Sequence, residues 1–138
     1  MTLVAAGVPM SARISGLLVQ VEHGPSKSQI HTVPPKDNGG TGESFSPTDL
    51  LGAALLSCAL STMALGAGRE SLSFGDASGT VEKQMSPPPR RVAKLTVVFE
   101  MPREVKPEHR TRLEELARNC PVARSLHPEV SFPMEFRY

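Results

Sequence analysis

The chain has no tryptophan, one tyrosine and five phenylalanines, so aromatic residues fill only 4% of its 138 positions. A core built from it must rely on aliphatic side chains, and bulky cover for wide apolar surfaces is scarce. Cysteine is scarcer still, with Cys58 and Cys120 alone. Two thiols cannot make the dense disulfide framework of small secreted domains, and there is no C-x-x-C pair. There is no H-E-x-x-H either, and His23, His31, His109 and His127 are scattered along the chain. That spacing argues against a zinc site, and no metal or cofactor is expected. A glycine-rich phosphate loop is missing too. "DNGGTG", residues 37 to 42, follows Pro34-Pro35 and leads into a helix cap, so it reads as a turn. The net charge of +1 leaves no basic footprint for nucleic acid. No uninterrupted run reaches the roughly 18 apolar residues of a membrane span. Residues 50 to 67 come nearest but contain Ser57, Ser61 and Thr62, so no membrane is expected as a partner. The opening "MTLVAAGVPM" lacks the basic start of a signal peptide. Residues 1–10 are expected to form a flexible tail, with Met10 as an alternative start, and residues 11–138 a single domain. The cytoplasm is the expected compartment, where two cysteines stay reduced unless they have redox work.

What is present is the composition of a globular protein, 39% hydrophobic and 21% charged. "ISGLLVQVEH" alternates, with Leu17, Val19 and Val21 on one face, and predicts a first strand; "SQIHTV" predicts a second. Ser46, Pro47 and Asp49 then carry a helix start: a cap, a proline in the first helical position and a capping-box acid. The helix is expected from about Pro47 to Ala67, ended by Gly66 and Gly68. "SLSFGDASGTVEKQM" reads as one strand or two. "VAKLTVVFEM" alternates cleanly, with Leu95, Val97, Phe99 and Met101 inward. "KPEHRTRLEELARN" is an amphipathic helix burying Leu113 and Leu116. A short helix starts at Pro121, and "EVSFPMEFRY" makes a last strand that Pro133 confines to an edge or a bulge. This order is that of an α+β fold. The helix from Pro47 is apolar nearly all round, through Leu50, Leu51, Leu55, Leu56, Leu60, Met63 and Leu65. Such a helix needs cover on every side, so a homodimer with this helix in its interface is expected.

The two thiols have different settings. Cys58 lies in the middle of the apolar helix, where a buried, inert cysteine is the ordinary reading. Thr62, four residues on, shares its face. Cys120 precedes Pro121 at an expected helix N-cap, between Arg118 and Arg124, where a thiol pKa should fall. On these features two readings stand, a cooperating redox pair and two ordinary buried cysteines.

Two segments together carry a resemblance. "GESFSPTDLLGAALLSCALSTMALGA" and, some sixty residues later, "NCPVARSLHPEV" resemble the OsmC/Ohr family, and the likeness extends over nearly the whole chain from Ser11. That resemblance implies antiparallel sheets around a long buried central helix, in an intertwined homodimer. It implies a cysteine-based peroxidase that reduces organic hydroperoxides in oxidative-stress defence. Cys58 would attack the peroxide and become a sulfenic acid; Cys120 would resolve it as a disulfide. A dithiol reductant, lipoyl-type or another small thiol, would restore the pair. One pattern departs. The Ohr branch has a glutamate ten residues before the reactive cysteine, orienting an arginine from the N-terminal strand region; here that position is Thr48. Asp49 and Glu43 are the neighbouring acids. Arg13 is the one arginine before Cys58, and Arg90 and Arg91 in "PPPRR" are the other candidates. These departures suit a divergent OsmC-like branch. They also leave a second reading, a non-enzymatic dimer that binds a small hydrophobic molecule or senses redox state.

Overall fold

The computed structural model describes residues 4–138, which fall into two compact units that divide between residues 50 and 51. In the first unit, β1 (Met10–Ser15), β2 (Leu18–His23) and β3 (Gln29–Thr32) form an antiparallel meander. The expected single strand over "ISGLLVQVEH" is thus a hairpin. Ser15 pairs with Leu18 across a two-residue turn whose first residue, Gly16, has φ +61°. Left-handed backbone at that position closes a tight hairpin, and glycine adopts it without a Cβ penalty. The paired region opens at Met10, the last residue assigned to the tail, and Gly24 N–H donates to Pro9 O. Alternation places Met10, Ala12 and Ile14 beside Val19, Val21 and Ile30 on one face. That face is open: Met10 and Ile14 are 67% and 65% exposed.

"DNGGTG" makes a single 3-10 turn, Lys36–Asn38, closed by Gly39, as expected of a turn. Helix α1 (Pro47–Glu70) begins with a full capping box. Asp49 N–H donates to Ser46 Oγ at 3.0 Å, and Ser46 N–H donates to the Asp49 carboxylate at 2.9 Å. Two of the orphan donors at the helix start are satisfied by the pair. The helix outruns its expected end. Gly66 and Gly68 lie inside it, and the stop comes at Ser71, with φ +56° and Leu72 N–H bonded back to Ala67 O. That is a left-handed cap made without glycine. Gly66 serves packing instead: a Cβ there would stand 2.5 Å from Leu116 Cδ1 of the next long helix.

The second unit holds β4 (Ser78–Met85), β5 (Val92–Glu100), α2 (Arg110–Arg118), α3 (Pro121–Ser125) and β6 (Met134–Arg137). β5 is central, antiparallel to β4 and parallel to β6. The parallel pairing departs from the expected all-antiparallel sheets. Its reason is the β5–β6 connection, which carries α2 and α3 and so returns the chain in the same direction. Pro133 sits just before β6 at the sheet edge, where its missing N–H costs no ladder bond. The alternation read in β5 holds: Leu95, Val97 and Phe99 are fully buried and Met101 nearly so. They meet Leu55, Ala59 and Met63 of α1 and Leu113 and Ala117 of α2 in one core.

Only one stripe of α1 is buried, Gly52, Leu55, Ala59, Met63, Gly66 and Ala67. Ala54, Ser57, Ser61, Ala64 and Leu65 are exposed. By length and composition α1 is apolar enough to cross a bilayer, with a mean hydropathy of 1.8 over 18 residues, although Ser57, Ser61 and Thr62 interrupt its apolar run. The core helix of a soluble protein passes the same test, and α1 packs its buried stripe into this core.

Candidate active site

The second unit brings the two cysteines together. Cys58 occupies the middle of α1 and is half-buried, packed against the core; no disulfide joins it to Cys120. Its Sγ lies 3.9 Å from Thr62 Oγ1, one turn further along the same face. Cys120 is fully buried. It caps α3 with extended backbone (φ −63°, ψ 156°), and Pro121 takes the first helical position. Its carbonyl accepts the Arg124 N–H at 3.0 Å, closing the first turn.

The thiol pKa at Cys120 moves opposite to expectation. Burial pushes it up. The N–H groups of Ala123 and, more weakly, Val122 pull it down, as a helix start should, while Cys58 beside it pushes it up again as hydrogen-bond partner and as charge. Desolvation outweighs the helix start because α3 has only five residues and its cap is fully buried. The flanking arginines do not offset this. Arg118 stacks its guanidinium on the Phe136 ring and reaches Glu114, and Arg124 Nε donates to Asn119 O. A fully buried thiol held protonated is a poor first nucleophile. Cys58, the accessible one, is the thiol that a solute can meet.

The candidate supporting charges are dispersed. Asp49 is committed to the helix cap. Glu43 lies exposed in the loop before it, with its N–H on Thr41 Oγ1. Arg13 is exposed in β1, opposite Gln20. These three belong to the first unit. In the second, Arg90 is exposed. Arg91 is tied to residues 92 and 129, through the Val92 carbonyl at 3.0 Å and the Glu129 carboxylate at 3.2 Å. His127 is exposed and accepts the Glu129 N–H.

Sequence reasoning passed over a groove of about 330 Å³ beside the thiols. It is lined by Thr62, Arg112, Glu115, Leu116, Asn119 and Arg124. Thr62 neighbours Cys58 on α1, and Arg124 closes the first turn of the helix that Cys120 caps. The signal that joins them is shared spacing: each lies four residues after its cysteine.

Residues 40–135 match the family model described as OsmC-like protein. Among solved structures, a protein of Psychrobacter arcticus provisionally assigned to osmotic stress induction and the detoxification response is 31% identical. The match covers 98% of this chain and 100% of that one, with a TM-score of 0.87. An organic hydroperoxide resistance protein OsmC of Legionella pneumophila has the same fold at 18% identity, with coverage of 99% and 100% and a TM-score of 0.80. An OsmC-like protein of unknown function from Vibrio cholerae matches at 15% identity, with coverage of 94% and 99% and a TM-score of 0.77. No curated protein matches the chain.

Proposed function

The chain belongs to the OsmC-like family, and from that premise we propose that it is a thiol-dependent peroxidase for organic hydroperoxides. The observation that carries the reading is the pairing of a half-buried thiol, Cys58, with a fully buried one, Cys120, close enough to act on each other. The Cys58 thiolate attacks the terminal peroxide oxygen; the O–O bond breaks, the alkoxide leaves and takes up the proton that the thiol gave up, and Cys58 becomes a sulfenic acid. The Cys120 sulfur then displaces the hydroxyl as water, and a Cys58–Cys120 disulfide forms. A dithiol of the lipoyl type, or another small thiol, returns two electrons and two protons. The buried position of Cys120 suits this order, since it cannot compete for peroxide but stands ready beside the sulfenic acid. The apolar residues around Cys58 suit an organic peroxide better than hydrogen peroxide.

Two further parts belong to the same reading. The protein works as a homodimer, supported by the uncovered apolar face of the β1–β3 sheet and the exposed small residues of α1. It works in the cytoplasm, where reducing thiols are at hand.

The reading is tested by counting thiols before and after one equivalent of cumene hydroperoxide, with hydrogen peroxide in parallel. The expected result is loss of both thiols in an intrachain disulfide, faster with the organic peroxide. Cys58→Ser should abolish turnover, and Cys120→Ser should allow one attack and then stall. Two free thiols after long exposure would sink the proposal. A second reading, a dimeric binder of a small hydrophobic molecule or a redox sensor, draws on one observation. Asp49, the acid next to the family position, is committed to the helix cap, and Arg91, one of the candidate arginines, is tied to Val92 and Glu129.

A further inference from the structure

The groove beside the thiols has a charge pattern that its structural bonds do not use up. Three charged side chains line it, Arg112, Arg124 and Glu115. Arg112 is satisfied: Nε and Nη2 grip the Glu70 carboxylate at 2.8 and 2.7 Å, and Nη1 reaches Glu115 at 3.4 Å. Glu115 is thereby spent on Arg112. Arg124 differs. Its Nε is anchored on the Asn119 carbonyl at 3.0 Å, and no carboxylate pairs with its Nη1 or Nη2 among the described residues. The guanidinium is therefore held by one edge, with its terminal donors left for a ligand. That geometry suits a carboxylate, which takes two parallel N–H bonds from such a fork.

Position gives the groove its meaning. Thr62 lies one helical turn past Cys58 and Arg124 one turn past Cys120, and both line this cavity. One turn is about 5.4 Å of rise. A ligand that runs from Arg124 to Thr62 thus reaches the residue whose Oγ1 lies 3.9 Å from Cys58 Sγ. Leu116, half-buried, gives the groove an apolar wall for the carbon chain between.

We infer that this groove is a binding site for a small carboxylate-bearing reactant, with Arg124 as its counter-ion and the chain of the ligand laid past Leu116 toward Thr62 and Cys58. The carboxylate belongs either to the hydroperoxide or to the dithiol reductant. The reactant's role rests on the peroxidase reading, whereas the binding does not.

Binding is tested without peroxide or thiol, by titrating the reduced full chain with octanoate and following backbone amide shifts by NMR. The expected result is saturable shifts at Thr62, Asn119 and Arg124. Octanamide should bind at least about tenfold more weakly, the scale of one charge-assisted contact. Arg124→Gln should lose octanoate by a similar factor, and Arg124→Lys should keep part of it. Absence of saturable shifts at these amides, or equal binding of octanamide, or an unchanged Arg124→Gln, each overturns the site. The source is then read kinetically. A carboxylate-bearing hydroperoxide is compared with its methyl ester in the oxidation step, and dihydrolipoate with dihydrolipoamide in the reduction step. Discrimination lost in Arg124→Gln at one of these steps assigns the carboxylate to that reactant; discrimination at neither overturns its part in the reaction. Thiols that survive every peroxide refute the peroxidase reading and leave the octanoate result standing.

Discussion

The two sheets of this protein were written in the same code and met different fates. Each has three strands and an alternating apolar face. In the second unit that face is sealed, with Leu95, Val97 and Phe99 at 0% exposure. In the first, Ile14 and Ile30 on the equivalent face are 65% and 52% exposed. Alternation tells which side chains share a face; it says nothing of what will lie against them. The second sheet has α1 and α2 for cover within its own unit. An apolar sheet face left open is a surface in search of a partner, which is the ground on which we propose the homodimer.

Four perturbations would break or sharpen that contrast. The largest effect is expected at the sealed sheet. Phe99→Ala should cost about 3–5 kcal/mol, read by urea unfolding, because the cavity it leaves in a filled core collapses only in part. The open sheet should answer differently. Ile14→Asp should leave secondary structure intact and shift sedimentation toward monomer, with the dimer dissociation constant raised at least about tenfold, since a buried unpaired charge is costly. Equal masses for the variant and wild type would count against a dimer sealed through this face. Third comes the helix start. Ser46→Ala should lose about 1 kcal/mol, because it removes the acceptor of the Asp49 N–H and breaks the reciprocal box.

The smallest effect is a pH dependence. Burial raises the folded-state pKa of Cys120, so the folded chain holds its proton more tightly than the unfolded chain. The stability this gives is complete below the ordinary thiol range and is lost as pH climbs from there toward the folded value. Tyr138 adds a loss of the same sign at higher pH, its phenol pushed up by burial and by Glu114. Melting temperature should therefore start to decline in the thiol range, and Cys120→Ser should delay that decline. Identical alkaline profiles for the two proteins would show that Cys120 is not desolvated in solution.

Local chemistry was legible where neighbours in sequence complete it. The Ser46–Asp49 box, the Pro121 start that makes Cys120 a cap, and the strand over Val92–Glu100 all depend on residues a few positions apart. Reading failed where the deciding partner is distant. Gly66 looked like a helix stop and is a contact with Leu116, fifty positions away. The true stop uses Ser71, a residue that rarely adopts a left-handed backbone and so gave no signal. The hairpin at Gly16 leaves a trace, because the apolar positions change from even (Met10, Ala12, Ile14) to odd (Val19, Val21) across it, but Leu17 carries the odd series back into the turn and hides the break. For the site, each cysteine could be placed on its helix, their meeting followed only from the family resemblance, and the Cys120 shift has the opposite sign to the one its helix start predicts.

The alternating faces and the residues that start α1 and α3 were determined by the sequence alone, since periodicity and capping act over a few bonds. Tertiary structure alone decided that β6 runs parallel to β5, that Cys58 and Cys120 are neighbours, and that burial outweighs the helix start at Cys120. Each of these depends on desolvation and packing between residues far apart in the chain, and those energies exist only once the chain has closed on itself.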